Sequence, residues 1–200
     1  MAASQMIVTP QMIPFWRSEE FIPEELHLLD ALFAAHHGSC FRDNASSVAV
    51  TIAADASHDL TKAIMAGICT LGGNHAPLEN TVRFLSLEDP AGHVAALLKR
   101  GQKIPGWGGS FQDGAIDPIW EEVDSLIRTY QPAMHDKLQA VTAILNGHGK
   151  LIHPNPSAYT ACVAIALGMP VQLTPYLFIY GRLSGWSEIA MQQFERRKAG

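Results

Sequence analysis

Four stretches of the sequence combine residue types that do chemistry with a backbone that presents them. Thr70-Leu71-Gly72-Gly73-Asn74-His75-Ala76-Pro77 sets a histidine just past two adjacent glycines. Glycines take backbone angles denied to other residues, so the chain can reverse there, and Pro77 suits the first turn of a following helix. His75 is therefore expected at a helix N-terminus, among unpaired amides and the positive end of a dipole, which favours a neutral ring and a bound anion. A plain helix-capping loop with a surface histidine fits the same residues. Lys103-Ile104-Pro105-Gly106-Trp107-Gly108-Gly109-Ser110-Phe111 contains too much glycine and proline for a regular element. It either exposes backbone amides and carbonyls to a ligand or serves as a connector, and its Trp107 and Phe111 favour a folded, packed loop. Ile152-His153-Pro154-Asn155-Pro156-Ser157 is a further non-helical loop. A serine such as Ser157 becomes a base or nucleophile only beside another base, and His153 is the nearest candidate in sequence. Arg182 stands alone in an apolar stretch, and a buried arginine demands an acidic partner or an anionic ligand.

The elements that must position these residues read as helices. From residue 23 to about 36, Leu26, Leu29, Leu32 and Phe33 follow helical spacing, with Glu24 and Glu25 in the first turn. Residues 48–54 are rich in β-branched side chains and would suit a strand. Helix is preferred, because Asn44 is a good N-cap and the many small residues let another helix approach closely. Residues 58–71 place Leu60, Ala63, Ile64, Gly67, Ile68 and Leu71 on one face, a buried helix with a small-residue seam. Short helices are expected over 79–85 and 91–100, the second closed by Gly101. Asp117 and Pro118 start an amphipathic helix to residue 130, and another runs over 135–146. Residues 158–167 are apolar nearly all round, which belongs at the centre of a core or an interface, and Thr174-Pro175 opens a long helix carrying Arg182. The N-terminal arm, residues 1–17, is apolar but broken by Pro10 and Pro14, and is expected to lie on its own core or on a second subunit. The fold class is all-α, without internal repeats, and so many small-residue and all-round apolar helices imply a homodimer.

Composition narrows the function. The 200 residues carry a net charge of −5, with the only dense basic cluster, Arg196-Arg197-Lys198, at the end of a helix, so no nucleic-acid partner is expected. No apolar run is long enough to cross a membrane and no basic, signal-like start is present, so the expectation is no membrane partner and a cytoplasmic location. Three widely spaced cysteines fit neither a disulfide framework nor a zinc site, and nine histidines show no metal-binding spacing, so no metal is expected. His36 and His37 are neighbours that point to different helix faces.

Taken together and in order, these stretches resemble the citrate synthase superfamily, which includes the citryl-CoA lyase module of ATP-citrate lyase. Leu71 to Asn80 is similar to the family's leucine-x-glycine-x-x-histidine-glycine-glycine segment, and Lys103 to Gly109 to its glycine-aromatic-glycine-histidine loop, followed by Asp117-Pro118. His153-Pro154-Asn155-Pro156-Ser157-Ala158-Tyr159 resembles the proline-asparagine-valine-aspartate-phenylalanine-tyrosine segment. Ala166-Leu167-Gly168-Met169-Pro170 and Phe178-Ile179-Tyr180-Gly181-Arg182-Leu183-Ser184-Gly185-Trp186 match the family closely, and His36-His37-Gly38 is similar to its aspartate-histidine-glycine motif. The resemblance covers about residues 24–195. It implies a dimer with a cleft between a large helical domain, residues 18–86 and 150–200, and a small helical domain, residues 87–149.

In that family one histidine polarises a thioester carbonyl, an aspartate removes the α-proton, a second histidine polarises a ketone, and arginines hold carboxylates. The resemblance implies that His75, with Asn74, belongs to an acyl-thioester site, that His37 binds the oxo-acid, and that Arg182 clamps a carboxylate. Residues Lys103, Ile104, Pro105, Gly106, Trp107, Gly108 and Gly109 would form the loop for coenzyme A, present as a thioester substrate. The departures are specific. Ser157 stands at the aspartate, Gly109 at the ketone histidine and Ile119 at the arginine after Asp-Pro, and most of the family's N-terminal region and its arginine-bearing C-terminal tail have no counterpart in these residues. General-base catalysis is worth about 10²–10⁴ in rate, so ordinary citrate synthesis is not expected. Two readings follow: a divergent enzyme that forms or cleaves a carbon-carbon bond between an acyl thioester and a small carboxylate, or a pseudoenzyme that keeps the cleft for binding or regulation.

Overall fold

The computed structural model describes residues 16–42, 44–72, 76–108 and 116–198. Nine α-helices and no strand are found among them. Most of the N-terminal arm, Asn74, His75, Gly109 and Phe111 lie outside the described residues. The end of the arm rests on the protein's own core, where Trp16 packs beside Phe21 and its indole N–H donates to the Leu167 carbonyl at 3.4 Å.

Helix α1 (Pro23–Ser39) starts where Glu25 turns back to accept the Ile22 N–H at 3.0 Å, and Arg17 forks onto the same carboxylate. The β-branched stretch is helical. Asn44 Oδ1 accepts the Ser47 N–H at 2.9 Å and starts α2 (Ala45–Ser57), so the cap and the close helix contacts outweigh strand propensity. His58 then adopts a left-handed conformation (φ 52°), and Asp59 caps α3 (Leu60–Cys69). The expected 58–71 helix starts later because those two residues build the turn, and it ends at Cys69, where Thr70 caps it. Gly67 is its seam: a Cβ there would meet Val50 Cγ2 at 2.8 Å and the Trp186 ring at 3.2 Å. Helices α4 (Leu78–Leu85) and α5 (Pro90–Lys99) follow, then a 3-10 turn (Pro118–Trp120), α6 (Glu121–Tyr130) and α7 (Pro132–Gly147). Helix α8 (Pro156–Ala166) is buried from Ser157 through Ala164, as its all-round apolar sequence requires. A second 3-10 turn (Val171–Leu173) leads into α9 (Thr174–Lys198). No helix among the described residues is long and apolar enough to cross a membrane.

Two apolar clusters form the interior. The larger draws on segments 18–86, 87–149 and 150–200 alike, joining Leu28, Leu32, Leu85, Val123, Leu138, Val141, Ala158 and Tyr159. The smaller gathers Cys40, Val50, Ala54, Ala63, Trp186 and Ile189 from the end of α1, from α2 and α3, and from the second half of α9. Helix α9 contributes Leu177 to the first and Trp186 to the second. Arg182 is thus held between two packed bodies.

Candidate active site

A cleft of about 1070 Å³ opens between the end of α1, the start of α4, the 101–108 loop, the start of α8 and the middle of α9. Its size is that of a small-molecule site, roughly 300–1,000 Å³. The charged side chains lining it are Arg42, Lys103, Lys150 and Arg182, with no carboxylate among the described lining residues. A chain of net charge −5 has therefore collected cations in this cleft. That arrangement attracts anions.

One wall is the loop from Lys103 to Gly108, each residue of which lines the cleft. Gly106 has φ +86°, and a Cβ on it would meet Thr81 Cγ2 at 2.8 Å and Ala158 Cβ at 3.0 Å. The loop backbone is thereby pressed between α4 and α8, where only glycine fits. Trp107 anchors the loop from below: its indole N–H donates to Thr142 Oγ1 at 3.0 Å and its ring meets Phe84 edge to face. Asn155 fastens the other side. Its backbone N–H donates to the Gly106 carbonyl and its side-chain amide to the Gly108 carbonyl, both at 2.9 Å. The same side chain accepts the Ser157 N–H at 2.9 Å and the Ala158 N–H at 3.3 Å, capping α8. One asparagine therefore fixes both the loop and the helix start, which pack against each other where they line the cleft.

Arg182 lies deep in the cleft wall, 4% exposed, and no carboxylate among the described residues pairs with it. Its Nε–H donates to His36 Nδ1 at 3.2 Å, one terminal nitrogen lies 3.9 Å from Cys40 Sγ, and Cζ sits 5.0 Å from the Phe178 ring centroid. Burial lowers the Arg182 pKa, but a guanidinium starts so high that it stays charged. Burial also pushes the Cys40 thiol up, so it remains neutral beside the cation. His36 is completely buried, and its Nε2 lies 2.8 Å from Thr160 Oγ1. Burial first, and the Arg182 charge second, hold its pKa well below the ordinary 6.5, so the ring is neutral.

The other expected site residues are distributed unevenly. Ser157 lines the cleft at the start of α8. His153 does not join it there. It lines an adjoining cavity of about 20 Å³ together with Asp117 and Trp120, which shares Gly108, Asn155 and Pro156 with the cleft. Asp117 Oδ2 and Trp120 Nε1 are buried without a hydrogen-bond partner, and the cavity has room for one water molecule. His37 is turned away from the cleft: Nδ1 lies 3.0 Å from Ser184 Oγ and Nε2 3.5 Å from Glu188. The histidine that reaches Arg182 is the preceding one. His36 continues the Leu29, Leu32, Phe33 face of α1, a periodicity that marks it as inward-facing, whereas His37 is displaced by about 100°. His75, Asn74 and Gly109 lie outside the described residues, but Ala76 and Pro77 beside the first pair, and Gly108 beside the last, line the cleft. Asn155 and Arg42 were not singled out by sequence. The Pro-Asn-Pro-Ser order, an N-cap residue before a proline at the first helical position, is the signal for Asn155.

Among known families, the one described as "Citrate synthase, C-terminal domain" matches residues 4–199. The chain is 25% identical over 162 residues to a citrate synthase of Haloferax volcanii, covering 76% of this chain and 43% of that protein, so it spans less than half of the curated relative's length. Its fold is similar to that of a citryl-CoA lyase from Hydrogenobacter thermophilus (TM-score 0.72, 22% identity, 88% of this chain and 71% of that one). It is similar also to a citrate synthase from Thermotoga maritima (TM-score 0.73, 22% identity, 90% of this chain and 51% of that one).

Proposed function

The chain belongs to the citrate synthase family, and on that premise we propose that its cleft binds an acyl-CoA thioester and a small oxo- or hydroxy-acid and forms or cleaves a carbon-carbon bond between them. The observation that carries this reading is Arg182: a buried cation without a carboxylate partner among the described residues, in a cleft whose described charged lining residues are all positive. Leaving such a charge uncompensated is costly unless an anion completes it. In this reading Arg182 grips a substrate carboxylate, the Lys103–Gly108 loop receives the CoA portion, and His75, from its motif, is the acid-base group. Gly109 and Asn74 adjoin that loop and that histidine in sequence. Ser157 offers a hydroxyl to the ligand. His37, paired with Ser184 and Glu188, takes no part in the binding step, and His153 stands in the adjoining cavity.

A second reading is favoured by one observation: no carboxylate lines the cleft among the described residues, and the family's aspartate position is Ser157. Without a base the cleft would bind these ligands without turnover, as a pseudoenzyme. The exposed Val48, Ile52 and Met65 on α2 and α3 support a homodimer in either case. Dimeric sedimentation in wild type, shifted to monomer by Ile52→Glu, is expected; a monomeric wild type refutes it.

Calorimetry with acetyl-CoA, CoA, oxaloacetate and citrate, paired with proton-deuterium exchange at the acetyl methyl group and a citryl-CoA cleavage assay, separates the two. Heat with a carboxylate that disappears in Arg182→Ala, with turnover that His75→Ala abolishes while sparing that heat, supports the enzyme. Heat without exchange or cleavage supports the pseudoenzyme. No heat with any of the four refutes both.

A further inference from the structure

We propose that His36 is a positioning residue for the anion clamp: a neutral imidazole that fixes the direction of the Arg182 guanidinium without cancelling its charge. The inference rests on the reading of Arg182 as a carboxylate-binding residue. A guanidinium has hydrogens to donate and no acceptor, so the 3.2 Å contact makes His36 Nδ1 the acceptor. A neutral ring then carries its hydrogen on Nε2. That hydrogen goes to Thr160 Oγ1 at 2.8 Å, and the threonine hydroxyl in turn donates to the Pro156 carbonyl at 2.7 Å. Every hydrogen in the series has one direction, from the guanidinium to the first residue of α8.

The ring has no room to turn. Trp120 meets it edge-on at 5.1 Å between centroids and Phe178 at 4.4 Å, while Gly181 lies so close that a Cβ there would come 2.7 Å from His36 Cβ. An aspartate or glutamate in the same slot would also orient the arginine, but as an ion pair it would leave little attraction for a ligand carboxylate. The imidazole gives direction and leaves the charge available. The series ends at Pro156, next to the cleft-lining Ser157, so the clamp and the start of α8 are set in one frame.

The test has one arm that needs no ligand. Nitrogen-15 NMR of the full chain at neutral pH is expected to give His36 protonated at Nε2 only, with the Arg182 Nε–H slow to exchange; protonation at Nδ1 overturns the proposal. The second arm measures citrate and CoA affinity by calorimetry. His36→Phe keeps the aromatic volume and removes the acceptor, and is expected to weaken citrate by roughly 10–100-fold, the worth of a hydrogen bond to a charged group, and to leave CoA affinity unchanged. His36→Asn, with an acceptor near the Nδ1 position, is expected to recover most of the loss. Equal weakening of citrate and CoA would mark a merely structural residue and overturn the proposal, as would unchanged citrate affinity. Thr160→Val, which cuts the series one step further out, serves if His36→Phe does not fold, with a smaller loss of citrate affinity expected and no loss counting against the proposal. If wild type binds neither citrate nor oxaloacetate, the carboxylate-clamp reading fails, and the tautomer still decides whether His36 orients Arg182.

Discussion

Gly181→Ala sets two effects of opposite sign against each other, and the structure decides which wins. Gly181 lies within α9, where alanine is the better helix former by about 1 kcal/mol. A Cβ there would stand 2.7 Å from His36 Cβ, 2.8 Å from Cδ2 and 2.9 Å from Cγ. Carbon atoms rest at about 3.5–4.0 Å, so α1 and α9 must part by nearly 1 Å or the imidazole must leave its slot. Overpacking of this kind costs about 1–3 kcal/mol. Set against the propensity gain, a net loss of about 1–2 kcal/mol is expected at the upper part of that range, because the contacts are to the stem and ring of a wedged side chain. For a chain of this length that lowers Tm by roughly 2–8 °C. Gly147, the last residue of α7 with nothing within 4 Å of its added Cβ, is the control, and Gly147→Ala is expected to raise stability by about 0.5 kcal/mol. Urea unfolding of the three proteins, compared at equal m-values, gives the signs. If Gly181→Ala is stabilised like the control, the close approach of α1 and α9 that seats His36 against Arg182 is refuted.

Two further outcomes follow from the same contacts. Asn155→Ala removes a helix cap and the tether to Gly108, and is expected to cost about 1–3 kcal/mol in urea unfolding; Asn155→Asp keeps the cap, loses the donor, and is expected to lose CoA affinity more than stability. An Asn155→Ala protein as stable as wild type would show that this asparagine does not join the loop to α8. Stability is also expected to fall as pH drops below 6.5. The unfolded chain protonates His36 near that value while the buried ring, with its lowered pKa, does not, so the unfolded state binds more protons. The slope from this one group approaches about 1.4 kcal/mol per pH unit and ends at the folded-state pKa. Above pH 6.5 the group contributes nothing, and His36→Phe should flatten the acid limb. Glu25, whose pKa is held down by its hydrogen bond to Arg17, adds a second loss in the same direction at lower pH, below its ordinary 4.5.

What sequence reasoning could and could not reach divides along physical lines. Helix starts are local events, decided by residues within one turn, and Asn44, Asp117-Pro118 and the apolar periodicity of α1 announced them. Even the β-branched run of α2 was legible as helix, since its cap and small residues lie in the same stretch. The shortening at His58-Asp59 was not, because a left-handed residue next to a capping aspartate competes with a helical pattern that runs straight through both. Buried Arg182 could be read as needing an anion. The partner that aims it could not be read with equal ease, because His36 and His37 are adjacent in sequence and separated only by which face of α1 meets α9.

The placement of Arg182 explains why the choice falls on His36. Helix α9 is pinned by Leu177 in one apolar cluster and Trp186 in the other, so the residue midway cannot slide or rotate to find a partner. The partner must instead be brought to it, and Gly181 and Gly185 let α1 approach closely enough to do so: added Cβ atoms would strike His36 at 2.7 Å and Cys40 at 2.7 Å. Those two side chains are one helical turn apart on the same face of α1, and both contact Arg182 through uncharged atoms. A close α1–α9 contact thus delivers two neutral partners to a fixed cation. The charge is left for whatever anion enters the cleft.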